Sequence, residues 1–136
     1  MQGVSKPGET LTEENKDTFH VWIVTNAKRY WFTKNGPLLP PEQGGADIVI
    51  IDDPQMPGLI PLIKEATPDR PVIYRSHIQV RSDLVADKST PQADTWDYFW
   101  QSIKLADLFI SHPVRAFVPH MVPPESVGYL PAATDW

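Results

Sequence analysis

Four short β-branched runs, DIVIID (47–52), VIYRS (72–76), DLFIS (107–111) and VGYL (127–130), alternate with segments of helical periodicity, and each border carries Pro, Asp or Gly. This alternation limits the fold more than any other feature of the chain. The runs IVII and VIY are continuously apolar, as in parallel strands covered on both faces, so the spacing predicts an α/β fold: a three-layer αβα sandwich around a Rossmann-like parallel sheet. A first helix is expected from the N-cap Thr12 to about Phe32, with Phe19, Trp22, Ile23, Tyr30 and Trp31 on one face. Further helices are expected over residues 57–66, over 91–106 with Thr90 as N-cap, and as a brief turn over 114–118. Residues 1–11 read as a loose polar lead-in to a domain spanning 12–136, and the paired prolines and glycines of 35–45 exclude regular structure there. Trp96, Phe99, Trp100, Ile103 and Leu105 or Ala106 recur at helical spacing and are expected in the core, as are Trp22, Tyr30 and Trp31.

Composition narrows the function. Leu, Ile, Val and Phe total 35 of 136 residues, enough for a core, so wholesale disorder is excluded; the fifteen prolines sit singly or in pairs at the borders of apolar runs. The balance of 12 Lys+Arg against 17 Asp+Glu, a charge of −5 with no basic face, argues against a nucleic-acid partner. The absence of cysteine removes thiolate chemistry and cysteine metal sites and fits a reducing compartment. With no apolar leader and no long apolar stretch, no membrane association is expected and the protein reads as cytoplasmic.

In parallel α/β sheets, ligands bind outside the carboxyl ends of the strands. Here those ends carry Asp52-Asp53-Pro54-Gln55, Arg75-Ser76-His77, Ser111-His112-Pro113 and residues 131–135, a polar rim on an apolar sheet. Arg75 and His77, with Arg81 and Asp83 close behind, suit an anionic or hydroxyl-rich ligand: the guanidinium forks to an anion, and the imidazole hydrogen-bonds a hydroxyl or moves a proton. The plainer alternative is an Arg–Asp pair that ties the loop down, with His77 as a satisfied half-buried residue. The run Asp53-x-x-Met56-Pro57-Gly58 resembles the phosphoacceptor loop of receiver domains. That chemistry needs an acidic Mg²⁺ site at an earlier strand end and a lysine at a later one; Glu13-Glu14 sit on a helix, and the later strand ends in Ser111-His112-Pro113. His20, His77, His112 and His120 show no metal-ligand spacing, and neither metal nor cofactor is expected. Asp52 and Asp53 are unsuited to act as a hydrolase carboxylate pair, since strand neighbours point to opposite faces.

The runs GGADIVIIDDPQMPGLIPLIKE, RPVIYRSHIQVRSDL, WDYFWQSIKLADLFISHPVRAFVP and VGYLPAATDW together resemble the amino-terminal Rossmann domain of the retaining trehalose phosphorylases and trehalose synthases. These belong to glycosyltransferase family 4 and have the GT-B architecture; the resemblance runs from about Thr12 onward, and the fungal-type phosphorylases are most similar. It implies reversible conversion of trehalose and phosphate to glucose 1-phosphate and glucose, with retention and without a metal. By position, His77 is implied as the catalytic residue contacting the transferred glucose. Asp53 and Gln55 are implied in sugar binding through the D-P-Q turn, Arg75 as an anchor of the loop or of a hydroxyl, and Arg81 as a further substrate-binding residue. Gln79 stands where related synthases tend to have an acidic residue. The resemblance further implies that earlier strands, a glycine-rich loop and a phosphate-binding second domain are missing, so that the chain reads as a fragment, inactive alone and prone to self-association, of an enzyme expected to be a homo-oligomer. The alternatives are a nucleotide-sugar-dependent trehalose synthase, a stand-alone sugar-binding domain and a receiver-like module with Asp53 as phosphoacceptor.

Overall fold

The computed structural model of the chain describes residues 9–52 and 54–131. Four parallel strands, β1 (Val49–Asp52), β2 (Val72–Ser76), β3 (Leu108–Ser111) and β4 (Val127–Tyr129), form one sheet in the order β1-β2-β3-β4. Helix α1 (Glu13–Asn26) precedes the sheet, α2 (Leu59–Ala66) links β1 to β2, and α3 (Ser82–Ala86) and α4 (Pro91–Ile103) link β2 to β3. The result is the α/β, Rossmann-like arrangement that the alternation predicts, with β2 as expected and the other three strands one or two residues shorter.

Local chemistry explains the helix starts. The Thr12 hydroxyl accepts from the Asn15 N–H at 3.1 Å while the Asn15 side chain accepts from the Thr12 N–H at 3.3 Å, a reciprocal cap. Thr90 accepts from the Ala93 N–H at 3.1 Å, and Pro91 occupies the first turn, where no N–H donor is required. After Asn26 the backbone widens into one π turn, Ala27–Trp31. Three short 3₁₀ turns follow along the chain, at Pro41–Gln43, Arg115–Phe117 and Pro124–Ser126. The first lies inside the segment expected to lack regular structure, and α3 has no counterpart among the expected helices. Five residues without a periodic apolar stripe or a side-chain cap leave no readable signal.

The helices pack on a single face. Ile23, Ile60, Ile63, Val85, Trp96 and Ile103 form one buried cluster with Val49, Ile51, Val72, Tyr74 and Phe109, the alternate residues of three strands. On the other face Ile48 and Ile50 are 55% and 61% exposed. A second helix layer is therefore absent among the described residues, and the αβα sandwich is corrected to two layers. Crossovers of one hand that advance β1-β2-β3 in one direction lay every connecting helix on the same side.

The core expectation also needs correction at two residues. Trp22 and Tyr30 are 49% and 54% exposed, because Phe19, Ile23 and Ala27 form the inward stripe. Trp22 lies beside that stripe, its ring stacked on Phe19 at 6.4 Å, and Tyr30 falls in the π turn, whose wider pitch changes the phase. Leu105, just beyond α4, is exposed, and Ala106 takes the inward place. Trp96 is fully buried, stacks on Trp100 at 6.1 Å and meets Phe109 edge-on at 6.4 Å. At the amino ends of the strands, Asp107 Oδ2 accepts from the Val72 N–H and from Lys64 Nζ, both at 2.7 Å, tying α2, β2 and β3 together.

Candidate functional site

The parallel register decides which polar side chains meet at the carboxyl ends of the strands. Asp52, the last residue of β1, is the direct partner of Arg75 on β2, and Ser76 is the partner of Ser111 on β3. Strand residues alternate in direction, so Arg75 shares the helix-free face with Asp52, while Ser76 and Ser111 turn inward and are buried. His77, two residues beyond Arg75, returns to that face. Asp52 Oδ2 accepts from Arg75 Nη1 at 3.0 Å, and Asp52 Oδ1 lies 3.0 Å from His77 Nδ1. One carboxylate thus joins a guanidinium and an imidazole. Burial alone would raise the Asp52 carboxyl, but the hydrogen bond with His77 and the charge of Arg75 outweigh it and hold the group below its ordinary value.

The end of β3 closes on the same loop. His112 Nε2 donates to the main-chain carbonyl of His77 at 2.7 Å, and its ring stands edge-on to Phe117 at 6.5 Å. Gln55 is exposed in the turn between β1 and α2, at this same end of the sheet. Asp53 lies outside the described residues. The Arg81 guanidinium forks onto Asp83, with Nε to Oδ1 at 2.8 Å and Nη2 to Oδ2 at 2.6 Å; that hydrogen bonding holds the Asp83 carboxyl down at about 2. Among the described residues no group of three or more His, Asp or Glu is arranged to hold a metal ion, and no helix is long and apolar enough to cross a membrane.

A carboxylate, a guanidinium and an imidazole on rigid strand ends can grip hydroxyls or an anion by directed hydrogen bonds. Residues 1–119 match the family described as trehalose synthase, N-terminal domain. The chain belongs to that family. It is 57% identical to a trehalose phosphorylase of Pleurotus pulmonarius, 56% to one of Pleurotus sajor-caju and 57% to one of Grifola frondosa, in each case over all 136 residues. The chain spans 18% of the length of each of these relatives. Nothing in these likenesses supports a receiver domain.

In this member of the trehalose synthase N-terminal-domain family, the residues singled out from sequence separate in space. Arg75 and His77 meet through Asp52, Gln55 stands at the same sheet end, and Arg81 is engaged by Asp83. Sequence reasoning assigned no role to Asp52 or His112. Their places at strand ends were the only local signal for either, and only the register pairs Asp52 with Arg75.

Proposed function

We propose that the chain forms part of a retaining glucosyltransferase that converts trehalose and phosphate reversibly to glucose 1-phosphate and glucose. The observation that best supports this is its 56–57% identity, over its whole length, to three proteins named trehalose phosphorylase. In phosphorolysis the anomeric C–O bond between the two glucose units breaks and a bond from that carbon to a phosphate oxygen forms on the same face. The proton of hydrogenphosphate passes to the departing glucose oxygen. On this reading His77 contacts the transferred glucose, with Asp53, Gln55, Arg75 and Arg81 around the sugars, and the reaction uses no metal or cofactor. The arrangement of Asp52, Arg75 and His77 suits this work, because planar polar groups on strand ends fix hydroxyl positions before the bond breaks. A cytoplasmic location fits the lack of cysteine, and a homo-oligomeric whole enzyme fits the uncovered apolar sheet face.

The description of the matching family favours a second reading, a synthase that makes trehalose from a nucleotide sugar and glucose. Both are tested by exchanging this chain for the matching segment of the Pleurotus pulmonarius protein. Release of glucose 1-phosphate from trehalose and phosphate is expected from the chimera, with a fall of at least about tenfold in the His77→Ala variant and no turnover by the 136 residues alone. Trehalose formed only from a nucleotide sugar selects the synthase, and a chimera that folds but does neither refutes both.

A further inference from the structure

We infer that His112 is a positioning residue, which fixes from the end of β3 the main chain that carries His77. The inference rests on the glucosyl-transfer reading above and extends it to a residue that the reading leaves without a role. β2 and β3 end as the partners Ser76 and Ser111, and Pro113 has no N–H with which β3 could extend the ladder past them. His112 takes over by its side chain: Nε2 donates to the His77 carbonyl at 2.7 Å. A carbonyl only accepts, so the hydrogen of that bond sits on His112 Nε2. This support acts on the main chain of His77 and does not depend on what its imidazole meets.

Further contacts hold His112 itself in place. Its own carbonyl accepts from the Val114 N–H at 2.7 Å, its ring stands edge-on to Phe117 at 6.5 Å, and the short turn Arg115–Phe117 leads into the buried Val118. The same segment grips the far end of the loop, where the Ser82 hydroxyl donates to the Ala116 carbonyl. Between the two ties, Val80 is buried in the core. Residues 77–82, with His77 at one end and Arg81 near the other, are thus fastened at both ends to residues 112–116. A group held from neighbouring strand ends keeps its place better than one on a free loop. Of the two ties, only His112 reaches the residue that the reading above sets against the transferred glucose.

The test is amide hydrogen exchange of the chain, read at Ser82 and Val85, whose N–H groups close the loop onto the carbonyls of Val80 and Arg81, each at 3.0 Å. In His112→Ala both are expected to exchange roughly three- to tenfold faster, the usual effect of losing one hydrogen bond. Val49 and Asp107, whose N–H groups are bonded at the opposite end of the sheet, are expected to keep their rates. His112→Gln keeps an N–H donor of similar reach and is expected to stay within about twofold of the wild type. If His112→Ala does not fold, His112→Leu replaces it, filling the space beside Phe117 without a donor. Unchanged exchange at Ser82 and Val85, equal acceleration at all four amides, or a Gln variant no better than the Ala variant overturns the inference. In the chimera described above, His112→Ala is expected to lower kcat for phosphorolysis about tenfold, and His112→Gln to restore most of it, a rescue that a proton-transfer role for His112 would not give. The kcat is taken per folded enzyme, so lost stability alone would not lower it. An active chimera whose kcat is indifferent to His112→Ala refutes a positioning role in glucosyl transfer. A chimera that transfers no glucose refutes the reading instead, and exchange in the chain then still decides whether His112 holds the loop.

Discussion

Replacing Asp107 with Ala removes the tie at the end of the sheet opposite the site. Oδ2 holds two donors at 2.7 Å: the N–H of Val72, whose side chain is fully buried, and Lys64 Nζ at the end of α2. Lys64 also donates to the carbonyls of Arg70 at 2.8 Å and Pro68 at 3.2 Å, so its ammonium keeps partners in the variant. Stranding a part-buried backbone donor costs about 1–3 kcal/mol. The ion pair adds at most about 1 kcal/mol, because the Asp107 side chain is 52% exposed. A loss of about 2–3 kcal/mol corresponds, for a domain of this size, to a fall in Tm of roughly 8–12 °C. Asp107→Asn keeps an acceptor for Val72 and is expected to lose about 1 kcal/mol.

Acid provides the control. Burial would raise the Asp107 carboxyl, but hydrogen bonds from Lys64 and the Val72 N–H outweigh it and hold the group below its ordinary 3.8. A depressed folded-state value stabilises the fold above the unfolded value, and that contribution is lost as pH falls through the folded one. Thermal unfolding followed by circular dichroism is therefore expected to show a constant gap between wild type and Asp107→Asn from about pH 7 to about pH 5, shrinking below 3.8. A Tm change in Asp107→Ala below about 2 °C, or an Asp107→Asn gap that survives full protonation, would refute the reasoning.

Two further outcomes follow from packing. A methyl group at Gly45 would overlap the carbonyl oxygen of Leu39, so Gly45→Ala is expected to cost roughly 2–3 kcal/mol in denaturant melts, whereas at Gly128 the nearest atom is an Ile110 side-chain carbon at 3.6 Å and Gly128→Ala is expected to change stability little. Equal costs at the two sites would contradict this. Ile48 and Ile50 lie on the uncovered face, so the double change Ile48→Thr and Ile50→Thr is expected to reduce self-association in sedimentation at a stability cost within about 1 kcal/mol; a wild-type chain that sediments as a clean monomer would count against it.

Much of this was written locally. Each strand is a run of β-branched residues bounded by Pro, Asp or Gly, and the Thr12 and Thr90 caps are contacts across three residues, so chain neighbours alone determined them. That polar side chains would meet at the carboxyl ends of the strands was equally legible, since a parallel α/β alternation puts those ends together whatever fills the core. Trp22 and Tyr30 mark where the reading failed: they satisfy helical periodicity, yet periodicity names a stripe without saying how far round the helix the core reaches.

What only the tertiary structure decided was relative placement across the chain. The direction of the crossovers left IVII with one bare face, although the run itself reads as covered on both sides. Register placed Asp52 opposite Arg75, 23 residues away, and so gave His77 its carboxylate partner. The physical reason is one of range: caps and periodicity act between residues a few positions apart, whereas pairing across a sheet depends on packing that brings distant segments together.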